Sequence, residues 1–305
     1  MRVLLFHNPS AGSEDHTADE VIDAIRSAGH EVALKAATEA QLSVGLKGGD
    51  CELLVAAGGD GTVNAAARAL AGSEVPLAII PLGTANNTAL SLGIRGALGD
   101  IVAAWSDSTR APFDLGRVTT ATGQQSFSEA LGFGAFAELV ERSEDLASPD
   151  KREHALARDL ERFRANVASA LPRPYTLTLE DEVVSGEYVC VEILNIPFIG
   201  ANVPLAPFSN FGDGQLNVVL VGEAERELLI ALIEQVRRGA KPDARFPSRL
   251  SPTVELSSTT SSYHLDGQLC SDAPGPEGFY HFAISVEAGA LHVLQPRSSA
   301  TSAPQ

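Results

Sequence analysis

One alternation, confined to the first third of the chain, restricts the fold more than any other feature. Short apolar runs at Val3–Phe6, Glu31–Leu34, Leu53–Ala57 and Leu77–Ile80 are separated by stretches of helical character at Thr17–Ala28, Thr62–Leu70 and Thr84–Leu92. Within the first of these, Val21, Ile22 and Ile25 recur at helical spacing and Gly29 stops the helix. Strands that are apolar throughout, each followed by a helix, specify a parallel sheet covered on both faces. The expectation is a doubly wound α/β domain whose first buried strand is Arg2–Phe6.

After Pro112 the pattern changes. Tyr175–Leu179, Tyr188–Leu194, Leu216–Val221, Thr253–Leu256 and Phe282–Val286 are strand-like and separated by Gly, Pro, Asp and Ser turns, the pattern of an antiparallel sandwich or barrel. A helical insert near 136–170, dense in Glu, Arg and Ala, interrupts it, and a second helix is expected over Glu223–Arg238. The predicted organisation is an α/β domain over 1–112, to which the C-terminal segment can return, a β-sandwich domain over 113–294, and a disordered tail over 295–305.

Composition removes several function classes. With 305 residues, 44% hydrophobic and 20% charged, the chain can bury a substantial core. No apolar run approaches the roughly 18 residues of a membrane span. The net charge of −17 argues against a nucleic-acid partner and against permanent adsorption to a membrane. The N-terminus lacks signal-peptide character, and Cys51, Cys190 and Cys270 are odd in number and widely spaced, so they read as buried thiols. A cytoplasmic protein, at most peripheral at the inner membrane face, is expected. The seven histidines show no paired metal spacing, and no Gly-x-Ser-x-Gly elbow appears.

Chemistry concentrates in loops after strands. Leu53–Ala57 runs into Gly58, Gly59, Asp60, Gly61 and Thr62, and a helix opens at once. Glycines admit a ligand close to the backbone, and the free N–H groups of a helix start favour phosphate. No Gly-Lys-Ser/Thr follows, and Asn64 with no acidic residue about 20 positions on departs from the dinucleotide fingerprint. An aspartate inside such a turn repels phosphate unless it holds magnesium or takes a proton, which points to phosphoryl transfer. The structural alternative makes Asp60 a helix N-cap. Leu77–Ile80 similarly feeds Pro81-Leu-Gly-Thr-Ala-Asn-Asn87, and the first strand ends in Asn8-Pro-Ser-Ala-Gly12.

Asn8–Gly12, Gly58–Thr62 and Pro81–Asn87, in that order and spacing, resemble the diacylglycerol kinase catalytic family, which includes bacterial lipid kinases and sphingosine and ceramide kinases. Glu129–Ala135, the 195–216 stretch with Gly212-Asp-Gly-Gln-Leu216, and His264-Leu-Asp-Gly-Gln268 extend the resemblance to about Leu294. The resemblance implies ATP seated in a cleft between the two domains, with a lipid hydroxyl meeting its γ-phosphate. On it, Gly58, Gly59, Gly61 and Thr62 cradle phosphates, and Asn8, Thr84 and Asn86 help seat the nucleotide. Asp60 assists Mg2+ or the substrate hydroxyl. Asp266 is the candidate general base, with Asp60 kept as the other candidate for that role. Asp213 and the Leu216 carbonyl form a candidate magnesium site.

Two departures stand out. Gln268 replaces the family's usual glutamate, which makes Asp266 easier to ionise but a weaker base. Asn87 stands where many relatives have Asp. Arg237, Arg238, Lys241 and Arg245 form a basic cluster in an acidic chain, readable as a patch for anionic headgroups or as an exposed helix end. The expected partners are ATP and a lipid met transiently at a membrane surface, with homodimerisation through an exposed sandwich edge left open. A soluble-alcohol kinase of the NAD kinase type and a non-catalytic lipid or nucleotide sensor are the rival readings.

Overall fold

The computed structural model describes residues 1–7, 16–49, 51–143, 152–180, 182–243, 245–275 and 278–297. Contacts divide the chain into two units, Met1–Phe113 with Ala290–Gln305, and Asp114–Gly289.

In the first unit the order is β1 (Arg2–His7), α1 (Ala18–Ser27), β2 (Glu31–Ala36), α2 (Glu39–Lys47), β3 (Leu53–Gly58), α3 (Asp60–Leu70), β4 (Leu77–Pro81), α4 (Asn87–Ser91) and α5 (Leu98–Ala103). The strands form a parallel sheet in the order β2-β1-β3-β4. Val3, Leu5, Leu53, Val55, Ala57, Ala78 and Ile80 share one core with Val21 and Ile25 of α1. Leu4, Leu54, Ala56 and Ile79, the alternate positions, are buried as well, so both faces are covered, as their unbroken apolar character requires. Helix α1 starts in a capping box: the Thr17 hydroxyl accepts from the Glu20 N–H, and the Glu20 carboxylate accepts from the Thr17 N–H at 2.7 Å. Helices α2 and α5 were not legible beforehand, because each buries only two residues and carries no apolar stripe.

The second unit takes in β5 (Thr109–Thr120) from Asp114 on, β6 (Gly123–Phe127), β7 (Ala130–Gly134), α6 (Ala135–Ser143), α7 (Arg152–Ser169), β8 (Arg173–Leu179), β9 (Glu182–Tyr188) and β10 (Cys190–Leu194). It continues with β11 (Leu216–Val221), α8 (Arg226–Arg237), β12 (Ser248–Ser251), β13 (Thr253–Ser258), β14 (Ser262–Leu265), β15 (Gln268–Ser271) and β16 (Tyr280–Gln295). One sheet runs β12-β11-β10-β7-β14-β15, and β8, β9 and β13 pair antiparallel beside β16. Leu131, Phe133, Val191, Ile193 and Val218 of the first sheet pack on Leu177, Val254, Leu256, Phe282 and Ile284 of the second. This is a β-sandwich.

The other face of the first sheet is covered by the helical insert, which resolves into α6 and α7, and by α8: Phe136, Leu160, Phe163, Val167, Leu229 and Ile233 pack on Cys190, Val219 and Val221. The second unit ends at Gly289 because β16 is long. Its Tyr280–Ser285 pairs with β13, whereas its Val293 pairs in parallel with Leu77 of β4. The short run Phe282–Val286 gave no sign of that length. Of the three cysteines expected in the core, Cys190 is buried but Cys51 and Cys270 are only partly so. Among the described residues, no helix is long and apolar enough to cross a membrane.

Candidate active site

The first cluster lies where β3 and β4 end. Gly59 is the N-cap of α3, with Asp60 its first residue and no side-chain cap. Asp60 is therefore not the N-cap that the structural alternative required. Its Oδ1 instead accepts from the N–H of Thr88, in α4, at 3.3 Å, so the carboxylate ties the two helix starts together.

The glycines divide into two kinds. A Cβ on Gly58 would run into the Thr62 hydroxyl, one on Gly59 would stand 3.1 Å from the Gly83 Cα, and one on Gly83 would run into the Gly59 Cα. Gly59 and Gly83 are glycines because the two loops pack backbone on backbone, and Gly58 because the Thr62 side chain fills the space of a Cβ. Gly61 differs: it is exposed, its backbone angles are ordinary, and a Cβ there would have nothing within 4 Å. Nothing in the fold explains its missing side chain, whereas a ligand resting on the start of α3 would.

The remaining first-unit candidates sort as follows. Asn86 is buried in a left-handed conformation (φ 55°). Its Oδ1 accepts from the Gly83 N–H at 2.9 Å and its Nδ2 donates to the Gly83 carbonyl at 2.7 Å, which shapes the loop. Thr62 is buried, and its hydroxyl has no hydrogen-bond partner among the described residues. Thr84 is partly exposed on the same loop. Asn8 lies outside the described residues.

The second cluster surrounds Asp266, which with Gly267 forms the two-residue turn between β14 and β15 (φ 50° and 71°). Left-handed angles at both positions are what Asp-Gly supplies in such a hairpin. The turn also aims the carboxylate. Oδ1 accepts from the N–H groups of Ser128 (3.2 Å), Glu129 (2.8 Å) and Ala130 (3.2 Å), and Oδ2 accepts from Ser128 at 3.0 Å. Three successive backbone donors thus converge on Oδ1, and Ser128 also reaches Oδ2. Gln268, exposed at the start of β15, is not among these donors.

Sequence reading missed Asp114. It is fully buried and accepts from the Gly214 N–H (2.7 Å) and the Gly289 N–H (2.6 Å). Burial raises its pKa, partly offset by those two bonds. Its partners are backbone groups 100 and 175 positions away, so no local spacing signals it. Asn195 joins this knot by donating to the carbonyls of Asp114 (2.8 Å) and Ser128 (3.0 Å). The neighbouring Asp213 is exposed, and its Oδ1 accepts from the Gln215 N–H at 3.0 Å; Leu216 is buried at the start of β11. Among the described residues, no group of three or more His, Cys, Asp or Glu side chains is arranged to hold a metal ion. The donor set suits a magnesium ion that arrives with phosphates and takes one or two carboxylates, not an all-protein cage.

The basic cluster is weaker than its sequence suggests. Arg237 and Arg238 both pair with Glu234, at 2.6 and 2.7 Å, and hydrogen bonds, first from Arg237, pull that carboxyl down to about 2. Arg245 instead lies 5.2 Å over the ring of Phe208, which is 81% exposed.

Comparison with known proteins follows this division. Residues 2–118 match the diacylglycerol kinase catalytic domain, and residues 151–295 match the YegS C-terminal NAD kinase beta sandwich-like domain. A Pseudomonas aeruginosa protein named "Probable lipid kinase YegS-like" is 30% identical over 97% of this chain and 95% of its own length. The chain belongs to the diacylglycerol kinase catalytic family. A Mycobacterium tuberculosis diacylglycerol kinase is 26% identical over 82% of this chain and 78% of its own. The fold matches the crystal structure of a diacylglycerol kinase from Bacillus anthracis, with a TM-score of 0.71, 18% identity, and 96% of each chain covered. Kinase-family membership makes the glycine loop and the Asp266 turn the places to seek phosphoryl-transfer chemistry.

Proposed function

We propose that this kinase-family protein transfers the γ-phosphate of ATP to a hydroxyl of a diacylglycerol-like lipid. The observation that carries the reading is Gly61, the one loop glycine whose missing side chain no packing accounts for. Phosphate oxygens resting on that face would lie beside the first N–H groups of α3, at the positive end of the helix dipole. Asp60 is the carboxylate that would hold magnesium, whose charge would neutralise the phosphate oxygens. Asp266 would take the hydroxyl proton, its carboxylate held in place by the backbone of 128–130. As the lipid oxygen bonds to the γ-phosphorus, the bond to the bridging oxygen breaks and ADP leaves.

Contact with a lipid surface is supported by the Phe208–Arg245 pair, an exposed ring carrying a cation. The relatives named as lipid kinases support the same acceptor class.

The test is transfer from γ-labelled ATP into a total lipid extract with magnesium, with Asp60→Ala alongside. A labelled lipid that disappears in the variant supports the reading. Labelled NAD, or label in another soluble alcohol, would replace the lipid by that acceptor. ATP binding without any transfer would leave a sensor and refute the kinase.

A further inference from the structure

Two fully buried ionisable side chains have no part in the chemistry above. Glu192 on β10 and His264 on β14 are 0% and 1% exposed and meet at 2.8 Å, Oε2 to Nε2. Their strands are not neighbours. β7 runs between them, and its Gly132 is the register partner of both residues. A Cβ at Gly132 would run into the Glu192 carboxylate, so the glycine is the gap over which the pair closes. Phe136 sits edge-on to the imidazole at 4.6 Å, and the Cys190 thiol donates to Glu192 Oε1 at 3.4 Å.

A buried pair of ionisable groups is a poor source of stability, because desolvation offsets its attraction and apolar side chains of similar size often do as well. It is a good source of register. β14 is joined to β7 by two register pairs, His264↔Gly132 and Leu265↔Leu131, and by the bond from the Asp266 N–H to the Ala130 carbonyl just beyond them. Tyr263 and Leu265 face the sandwich core, whereas His264 faces the helical layer through Phe136. A one-residue slip would exchange these faces and is excluded by burial alone. A two-residue slip keeps every face but moves Tyr263 off Phe133 and Phe282 and puts Ser261 or Gly267 at a core position, so apolar packing opposes it and the buried pair adds a second, independent penalty. Such a slip would set either Ser262 or Asp266 opposite Gly132: the first brings Glu192 a hydroxyl on a one-carbon stem, the second another carboxylate. Either slip would carry Asp266 about 7 Å along the strand, away from the N–H groups of Ser128, Glu129 and Ala130.

We propose that Glu192 and His264 are positioning residues whose buried pair, closed over Gly132, locks β14 in the register that seats the Asp266 carboxylate on the 128–130 backbone. The proposal rests on the reading of Asp266 as the catalytic carboxylate, and its test is chosen to be independent of turnover. Amide hydrogen exchange at Ser128, Glu129 and Ala130 is measured in the full chain for wild type, Glu192→Gln, and the double variant Glu192→Met/His264→Leu, with phosphate transfer assayed in parallel.

The amide of Glu192→Gln can still accept from His264, so both protection and turnover should be kept. The double variant should fold, lose at least tenfold protection at the three amides, and lose at least tenfold in kcat with KM for ATP unchanged. Wild-type protection in the double variant overturns the proposal, as does loss of protection confined to the helical layer. If the double variant does not fold, Glu192→Gln/His264→Leu is read in the same way. Failure of both to fold makes the pair a stability element and overturns the proposal too. A wild type that transfers no phosphate refutes the kinase reading, while the exchange result still decides the register.

Discussion

Gly61→Ala separates folding from ligand binding more cleanly than any other single change in the glycine loop. At Gly58 and Gly83 an added methyl meets the Thr62 side chain or the Gly59 backbone, and overpacking of that kind costs about 1–3 kcal/mol. At Gly61 the added Cβ meets nothing within 4 Å, and the residue is the second of the eleven-residue helix α3. Glycine is roughly 0.5–1 kcal/mol worse than alanine inside a helix, so stability should stay level or rise, by up to about 4 °C in Tm. The ligand is different. A methyl on the face where phosphate oxygens rest would lengthen or break charge-assisted hydrogen bonds worth about 1.5–3 kcal/mol each. At about 1.4 kcal/mol per factor of ten, losing one weakens ATP binding by roughly 10- to 100-fold. Calorimetric titration with ATP and a thermal scan of the same sample measure both quantities. Wild-type ATP affinity would refute phosphate contact at Gly61, and a lowered Tm would refute the open space around it.

Other outcomes follow from particular contacts. Asp266→Asn keeps an acceptor for the 128–130 donors and tolerates the left-handed turn, so Tm should change little while kcat drops at least 100-fold; near-normal kcat would move the base role to Asp60. Gly132→Ala forces Glu192 from its place in the buried pair and should lower stability by about 1–3 kcal/mol in denaturant unfolding. His264→Ala leaves the Glu192 carboxylate buried without its partner and should cost about 3–5 kcal/mol. Burial raises the pKa of Asp114 above its unfolded value. Its contribution to stability is therefore full below the unfolded aspartate range and is lost as pH rises through the folded value. Removing its charge with Asp114→Asn should flatten that decline in unfolding free energy, and an unchanged slope would show that Asp114 does not titrate there. Phe208→Ser should reduce co-sedimentation with anionic phospholipid vesicles several-fold without changing ATP affinity, and equal sedimentation would remove Phe208 from the lipid contact.

Local pattern was enough for part of the molecule, and the reason is that the relevant forces act over a few residues. Continuous apolar runs at Val3–Phe6, Leu53–Ala57 and Leu77–Ile80 become strands buried on both faces, because such runs need cover on both sides. The glycine loop and the Asp266-Gly267 turn were legible for the same reason: a helix start after a strand and a left-handed pair of residues are encoded by adjacent positions. The weakly amphipathic α2 and α5 escaped, since their cover comes from neighbours and not from their own stripe.

What only the tertiary structure decided is which side chains the loops and strands bring together. It packed Gly59 against Gly83 and left Gly61 as the glycine of these loops without a packing reason. It placed Asp114 under two glycine N–H groups, and Glu192 against His264 over a third glycine. In the sequence Asp114 and its two glycines, and Glu192, His264 and Gly132, are isolated residues separated by tens to more than a hundred positions. Their partners are set by strand order and register, which follow from the burial of the whole chain and from no local spacing.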